Sequence, residues 1–317
     1  MCEIWRKSKH DEMTLEQIDA LFSQLRRLDG IRISGGEPFL RSDLSEIINI
    51  IQRKTSPSVV HITTNGLLTE RIVEFIKSVD SPGKIHFKIS IDAVGERHDG
   101  IRGVQGAYRS AIDTLRELAR LKGSYYFYLG VDQTIVNSDV ESIQALQRIC
   151  EDMGISLHQV IAYGETALYQ HGDGLSLLPS SSAGIKTFGE FSKGELEHIL
   201  ALMGENASKI DDFTEKITKR YYLRGLRNRL LLGKAKPRPK CVALGSHLRI
   251  LPNGDVPICL YDSTIVGNLT KVGFKELWFG GRMGEYRDRV KRCPGCWAGC
   301  EVIPNAIYSG DIIRALW

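Results

Sequence analysis

The chain has 317 residues, of which 42% are hydrophobic and 25% are charged, and its formal net charge is +4. This length suits one large domain with a smaller one attached, and the composition is typical of a soluble globular protein. No apolar run reaches the length of about 18 residues that a transmembrane helix needs, and the N-terminal residues lack the apolar stretch of a signal peptide. So small a net charge does not indicate a polyanionic partner. We therefore expect a cytoplasmic protein with no membrane or nucleic-acid partner.

Residues 14 to about 163 alternate between helical and strand patterns. A capping box at Thr14–Gln17 opens the first helix, which is expected to end at Asp29-Gly30, and Ser42 can cap the second helix. The predicted strands cover 31–34, 59–63, 85–91, 125–136 and 156–163, and the later helices cover about 69–79, 107–121 and 139–153. These repeats indicate parallel βα units in an open doubly wound sheet or in a full or partial barrel. In either fold the functional site lies at the carboxyl ends of the strands.

The next part of the chain is less regular. Residues 164–190 are rich in Gly and Ser and are predicted to form a loop or a substrate lid. Two helices are predicted to fill about 193–233, and a Pro-containing linker follows at 236–240. Residues 216–240 contain ten Lys or Arg and no acidic residue. That run is interpreted as the solvated face of a helix, with an acidic or phosphate-bearing substrate as the alternative.

Seven cysteines in a chain without secretory signals favour metal ligation over disulfides. Five of them fall within sixty residues: Cys241, Cys259, Cys293, Cys296 and Cys300. An Asn253-Gly254 turn predicts a hairpin that brings Cys241 and Cys259 toward one end, with its returning strand ending at Cys259. The spacing of the last three fits zinc and iron–sulfur ligation equally. Cys150 shares a helix face with Leu146 and Ile149 and is expected to be a buried core thiol.

A glycine-rich turn follows the first predicted strand. Gly35-Gly36-Glu37-Pro38 lies about 33 residues after Cys2, which stands in a Cys-x-x-Trp sequence with Trp5. This combination resembles the radical S-adenosylmethionine (radical SAM) superfamily. The resemblance implies that Gly35, Gly36, Glu37 and Pro38 bind the amino group of S-adenosylmethionine. It also implies that Cys2 is the third ligand of a central 4Fe–4S cluster.

Further matches to that family lie at later strand ends. Ile89-Ser90-Ile91-Asp92, followed by the segment 98–103, resembles the family's fourth strand and the loop after it. By this resemblance the residues expected to line the S-adenosylmethionine site are Asn65, Ser90, Asp92 and Arg102.

The family motif is Cys-x-x-x-Cys-x-x-Cys, and only its third cysteine is present here. We therefore expect an N-terminally truncated chain, inactive alone, whose α/β fold is a partial (β/α)6 TIM-like barrel lacking its first strand. A second hypothesis is a degenerate, non-catalytic iron–sulfur protein that transfers electrons. A third is a scaffold stabilised by zinc.

The cysteine-rich C-terminal part resembles the SPASM or twitch domain. The resemblance implies one auxiliary 4Fe–4S cluster held by cysteines among Cys241, Cys259, Cys293, Cys296 and Cys300. The expected domains are a barrel core at 1–164, a loop and helical linker at 165–240, and the auxiliary-cluster domain at 241–317. The implied reaction is reductive cleavage of S-adenosylmethionine to a 5′-deoxyadenosyl radical, which abstracts hydrogen from a peptide or small-molecule substrate. An electron donor such as flavodoxin or ferredoxin is the implied partner.

Overall fold

The computed structural model describes residues 12–164, 166–168, 174–177 and 187–315, which form two compact units. The first unit contains Met13–Ile135 and Asp139–Val160, and the second contains Val136–Ser138 and the chain from Ile161 onward. Cys2, Trp5 and most of the predicted loop at 164–190 lie outside the described residues.

The first unit alternates helices and strands, as the sequence pattern predicts. Its strands are β1 (Gly30–Ile33), β2 (Val59–Thr64), β3 (Ile85–Ser90), β4 (Tyr128–Ile135) and β5 (Ser156–Ile161). Its helices are α1 (Leu15–Ser23), α2 (Leu44–Thr55), α3 (Thr69–Ser78), α4 (Glu96–Arg102), α5 (Ala107–Tyr125) and α6 (Val140–Asp152). Short 3-10 helices occur at Pro38–Leu40 and Pro82–Lys84.

The five strands form one sheet in the order β1-β2-β3-β4-β5. The β1–β2, β2–β3 and β3–β4 pairs are all parallel. A doubly wound sheet reverses its strand order at a switch point, whereas a barrel adds each strand beside the one before it. The sequential order is therefore that of a partial (β/α) barrel, and it decides between the two folds that the sequence left open.

The two faces of the sheet have opposite character because side chains alternate along each strand. On one face, fully buried residues such as Ile62, Phe87 and Val131 pack against the helices in a single core cluster. Burial of such apolar area stabilises the fold by roughly 25 cal/mol per Å². The opposite face carries polar residues, among them Lys88 and Asp132, which are 3.4 Å apart. That second face has the polar groups from which a binding surface can be built.

The helix ends near β1 differ from the prediction. The capping box at Thr14 is confirmed, but α1 ends at Ser23 rather than at Gly30. The reason is that the Leu28 N–H donates to the Thr55 carbonyl instead of continuing the helix. Ser42 does not cap α2 either. The N-cap position belongs to Asp43, whose carboxylate accepts a hydrogen bond from Arg41 and makes no capping bond.

The boundary between α5 and β4 also lies later than predicted. The helix continues through Tyr125, and Tyr126 ends it in the left-handed conformation with φ 56°. The strand then begins at Tyr128 rather than at 125. Aromatic residues at 125–128 have high strand propensity, and helix packing overrides that local preference.

The second unit begins with two helices, α7 (Lys193–Ser208) and α8 (Phe213–Leu232), which confirm the helices predicted at 193–233. The later elements are β6 (Asp255–Pro257), β7 (Ile265–Asn268), α9 (Phe274–Phe279), α10 (Gly281–Lys291), α11 (Gly299–Tyr308) and a 3-10 helix at Asp311–Ala315. Across the described residues, no helix has both the length and the apolar character needed to cross a membrane.

The predicted hairpin around Asn253-Gly254 is wrong in its pairing. The turn exists, with Gly254 at φ 86°, but the strand after it ends at Pro257 and pairs antiparallel with β7. Asn268 explains the choice of partner, because its side-chain amide donates to the Asn253 carbonyl at 3.0 Å and to Asp255 Oδ1 at 2.8 Å. These bonds attach β7 to the turn. As a result β7, rather than the segment before Asn253, is the strand that pairs with β6.

Candidate functional site

The loop after β1 carries the predicted Gly35-Gly36-Glu37-Pro38 turn. Gly35 and Gly36 are exposed, and a Cβ added at either would meet no atom of the described residues within 4 Å. Neither glycine has a positive φ. Neither packing against the described residues nor backbone strain therefore requires glycine here, and those residues leave the space beside Gly35 and Gly36 open. A loop of this kind lets a ligand approach the backbone without obstruction by a side chain.

Glu37 connects this loop to the end of β2. Its Oε1 accepts hydrogen bonds from Thr64 Oγ1 at 2.7 Å and from the Phe39 N–H at 3.2 Å, and its Oε2 accepts one from the Asn65 N–H at 2.7 Å. Burial raises the pKa of Glu37, while these three donors and the charge of Arg102 lower it. The carboxylate therefore fixes the shape of the loop as well as its local charge.

Asp92 and Arg102 were both predicted as ligand contacts, and the structure pairs them with each other. Arg102 Nε lies 2.8 Å from Asp92 Oδ2, in an ionic contact rather than an aligned hydrogen bond. The Asp92 side chain is fully buried, whereas that of Arg102 is 26% exposed. Asp92 Oδ1 also accepts a hydrogen bond from the Thr134 N–H at 3.0 Å, and the Asp92 N–H donates to His98 Nδ1. Asp92 thus joins the ends of β3 and β4 to α4.

Two other predicted residues retain free polar groups. Asn65 uses its side-chain oxygen to accept from the Leu67 N–H at 2.9 Å, which leaves its amide nitrogen for other contacts. Ser90 ends β3, beside Asp132 of β4, and its hydroxyl makes no hydrogen bond within the described parts of the chain. The sequence analysis missed the Lys88–Asp132 pair, although the positions of these two residues on one face of predicted strands could have identified it.

The second candidate site is the set of cysteines in the second unit. Cys259, Cys296 and Cys300 pack around a buried cluster that includes Leu260 and Tyr261. Burial raises the pKa of the Cys259 and Cys296 thiols, and nearby negative charge adds to the effect. None of the six described cysteines of the chain forms a disulfide. The prediction that Cys150 is a core thiol is confirmed, because burial leaves it 2% exposed and raises its pKa to about 12.

The five C-terminal thiols act on one another electrostatically. Burial raises the pKa of Cys241 to about 11, and the charges of Glu301 and Cys293 contribute. Cys241 in turn affects Cys259, while Cys259 and Cys300 both affect Cys296. Among the described residues, no three Cys, His, Asp or Glu side chains are placed to hold a single metal ion. A four-iron cluster spreads its ligands more widely than one ion does, and an all-thiol donor set fits its chemistry.

A buried carboxylate lies next to this set. Glu301 is 3% exposed, and its oxygens face Arg249 at 3.0 Å and His247 Nδ1 at 3.7 Å. The charge of Glu301 raises the pKa values of Cys241, Cys259 and Cys296. Arg249 therefore offsets a negative charge that would otherwise oppose thiolate formation in this region.

Helix α8 holds the last cysteine loop through Trp297, which is fully buried. The Trp297 indole N–H donates to the Tyr222 carbonyl at 3.0 Å, and the ring lies flush against Gly225. Arg229 also stacks on the ring, with its Cζ 3.8 Å from the ring centroid. The basic segment 216–240 is thus not wholly a solvated face. Arg229 is 8% exposed and donates to the Ala235 and Pro237 carbonyls at 2.8 Å.

Two protein-family models match this chain. Residues 1–146 match the model of the radical SAM superfamily, and residues 241–300 match SPASM, an iron–sulfur cluster-binding domain. The two matches together cover 206 residues (146 plus 60) of the 317. The second matched range begins at Cys241 and ends at Cys300, so it contains all five clustered cysteines.

Curated proteins give matches to the first part of the chain. A Fe-coproporphyrin III synthase from Methanosarcina barkeri is 31% identical over 144 residues, which are 45% of this chain and 34% of that protein. A pre-heme d1 synthase from Dinoroseobacter shibae is 31% identical over 146 residues, again 45% of this chain and 34% of that protein. The matched part therefore spans about a third of the length of these relatives.

Solved structures share the fold over most of the chain. A structure of anSMEcpe with bound AdoMet matches with a TM-score of 0.54 at 17% identity, covering 88% of this chain and 72% of that one. Streptococcus suis SuiB bound to S-adenosylmethionine matches with a TM-score of 0.58 at 15% identity, covering 89% and 62%. At these identities the likeness establishes the fold and no more.

Proposed function

The chain belongs to the radical SAM superfamily and carries a SPASM domain, and from this we propose that it cleaves S-adenosylmethionine reductively. The resulting 5′-deoxyadenosyl radical would abstract hydrogen from a peptide or small-molecule substrate. The observation that carries the proposal is the open space beside Gly35 and Gly36, at the carboxyl end of a parallel strand. Within the described part of the chain, no atom fills that space and no contact requires glycine there.

The residues around the loop suit the two ends of S-adenosylmethionine. An ammonium group needs oxygen acceptors, and the loop supplies carbonyls whose position Glu37 fixes through its bonds to Thr64 and Asn65. A carboxylate needs donors, and the Ser90 hydroxyl and the exposed part of Arg102 can supply them. Asp92 holds Arg102 in place, so it acts in this proposal as a positioning residue rather than as a direct contact.

The proposed reaction also requires two iron–sulfur clusters. Cys2 would ligate a central 4Fe–4S cluster, and cysteines among the five at 241–300 would ligate an auxiliary one. When bound and reduced, such a cluster supplies the single electron that breaks the carbon–sulfur bond. Two buried side chains near these cysteines, Tyr261 and the fully buried Trp297, would keep water away from the auxiliary cluster.

The names of the similar proteins indicate two classes of substrate. The curated relatives are named for small molecules, Fe-coproporphyrin III and pre-heme d1. One of the solved neighbours, SuiB, was also determined with its precursor peptide SuiA. Both classes of substrate therefore stay within the proposal.

The decisive experiment is anaerobic. Protein produced from the complete gene is reconstituted with iron and sulfide, then incubated with S-adenosylmethionine and dithionite, and 5′-deoxyadenosine is measured by chromatography. We expect a broad absorbance near about 400 nm and formation of the nucleoside. Cys296→Ser should lower the iron content while Cys150→Ser leaves it unchanged. Iron–sulfur absorbance without 5′-deoxyadenosine would instead support the electron-transfer hypothesis, and colourless protein would contradict both.

Gly36→Ala tests the binding loop separately. Because a Cβ at Gly36 meets no described atom within 4 Å, we expect the free energy of unfolding to change by less than about 1 kcal/mol. The affinity for S-adenosylmethionine, measured by equilibrium dialysis, should fall at least about tenfold because the methyl group occupies the space of the ligand. Gly66→Ala is the contrasting variant. Its Cβ would lie 2.9 Å from the Ile89 side chain, and the φ of +75° at Gly66 is one that alanine rarely adopts. The free energy of unfolding should therefore fall. Unchanged affinity in Gly36→Ala would contradict the assignment of the loop.

A further inference from the structure

A row of polar side chains crosses the sheet face opposite the helix-packed core. The strand register aligns Arg32 with His61, His61 with His86, and His86 with Tyr128. The row reaches β5 through the Tyr128 hydroxyl, which lies 2.8 Å from His158 Nε2. Every strand thus contributes one residue, and all five residues belong to the first unit. We name these five residues the cross-strand row.

The rings of the cross-strand row contact one another from His61 to His158. The His61 and His86 centroids are 5.1 Å apart in an edge-to-face arrangement, and His86 stacks on Tyr128 at 4.6 Å. The Tyr128 and His158 centroids are 6.1 Å apart. Aromatic contacts at these distances hold side chains in place. A side chain of the cross-strand row would therefore lose little conformational entropy when it binds a ligand.

The end of the cross-strand row formed by Arg32 and His61 has hydrogen-bond donors without acceptors among the described residues. Arg32 is exposed and makes no ion pair or hydrogen bond within the described residues. His61 Nδ1 is buried and has no hydrogen-bond partner in that same part of the protein. A buried nitrogen in this state loses its hydration without compensation, so a ligand that bonds to it is favoured.

The charge at this end is positive. Burial, together with the positive charges of Arg32, Lys88 and His86, lowers the pKa of His61 to about 3. Lys88 is offset by Asp132 at 3.4 Å, but no carboxylate pairs with Arg32 among the described residues. An oxyanion placed here would pair with Arg32 and accept a hydrogen bond from the His61 ring.

The row is distinct from the site at the strand ends. His86 and Ser90 are four residues apart on β3, a distance of about 13 Å along a parallel strand. A group bound at the row is therefore not the same group that Ser90 contacts. It belongs to a different ligand, or to a remote part of one that extends between the two sites.

We propose that Arg32 and His61 form a binding site for an oxyanion, a carboxylate or phosphate group carried by the substrate. That this ligand is the substrate rests on the proposed function, whereas the anion site itself does not. Binding energy from such a remote group positions the reacting part of a substrate without taking part in the chemistry.

The test measures binding without any turnover. Protein labelled with ¹⁵N-histidine is titrated at pH 7 with inorganic phosphate and, separately, with succinate, at an ionic strength held constant with sodium chloride. His61→Gln identifies the His61 signal by removing it. We expect a saturable shift of the His61 ring nitrogens with at least one anion. Phosphate and succinate distinguish a phosphate-bearing ligand from a carboxylate-bearing one.

Matched variants separate a built site from general attraction. Arg32→Gln should weaken the anion affinity at least about tenfold because it removes the only cation of the row that has no partner among the described residues. Arg26→Gln removes another exposed arginine of the same unit and should change nothing. No saturable shift with either anion, or equal losses in both variants, would overturn the proposal. These results are independent of 5′-deoxyadenosine formation, so either proposal can fail while the other stands.

Discussion

Replacing Gly225 by alanine should destabilise the second unit by about 3 kcal/mol or more. The Cβ of alanine would overlap the Trp297 indole, which is fully buried and held by its bond to the Tyr222 carbonyl. Overpacking a well-packed core costs about 1–3 kcal/mol, and a buried ring that is also hydrogen-bonded and stacked on Arg229 can move less than most. Because Trp297 immediately follows Cys296, we also expect the iron content after reconstitution to fall. Tryptophan fluorescence during urea denaturation measures the first effect.

The matched control lies in the neighbouring helix. The added Cβ of Gly204→Ala in α7 meets no described atom within 4 Å, so this variant should raise stability by about 0.5–1 kcal/mol through helix propensity alone. Adding Gly225→Ala to Trp297→Ala should cost little more than Trp297→Ala alone, since the overlapping ring is then gone. If Gly225→Ala behaves like Gly204→Ala, the contact with Trp297 does not constrain the cysteine loop.

Features governed by neighbouring residues could be predicted from the sequence. The Thr14–Gln17 capping box and the strands around 59–63 and 85–91 depend on short-range patterns, and the structure confirms them. The turn at Asn253-Gly254 was also found, but its strand pairing was not. Pairing is decided by the side chain of Asn268, which lies 15 residues beyond Asn253 and has no local signal.

The choice between a doubly wound sheet and a barrel could not be predicted for the same reason. Both folds repeat strand and helix with the same spacing, and they differ only in which strands become neighbours. The order β1-β2-β3-β4-β5 is a result of long-range packing. Glycine-rich and cysteine-rich motifs, in contrast, are visible in sequence because they record chemistry rather than packing.

Arg229 shows a signal that was present and overlooked. It lies among ten basic residues that invite a single interpretation as a solvated surface. Yet it follows Leu226 by three positions and Tyr222 by seven, the spacing of one helix face, and both of those residues are buried. Periodicity within the basic run would have separated Arg229 from its neighbours. The stacking partner, Trp297, could not have been identified from sequence.

Arg102→Met should destabilise the first unit by about 3–5 kcal/mol, more than Asp92→Asn does. The two side chains are 2.8 Å apart, but Asp92 is fully buried whereas Arg102 is 26% exposed. Removing Arg102 leaves a buried carboxylate without its cation and also removes a charge that lowers the pKa of Glu37. Removing the charge of Asp92 leaves a cation that can still reach water. The Asp92→Asn/Arg102→Met double variant should therefore be less destabilised than the sum of the two single variants.

Amide hydrogen exchange in β3 and β4, followed by mass spectrometry, is the appropriate measurement because the tryptophans at 5, 278, 297 and 317 all lie outside residues 13–160. Arg97→Met is the control on the same helix, since Arg97 is 56% exposed and pairs with Asp139 and Glu141 at the surface. Exposed pairs contribute about 0–1 kcal/mol, so this variant should exchange nearly as the parent does. Faster exchange in Asp92→Asn than in Arg102→Met would mean that the buried carboxylate does not depend on Arg102. In that case the loss of Arg102 would appear in S-adenosylmethionine affinity rather than in stability.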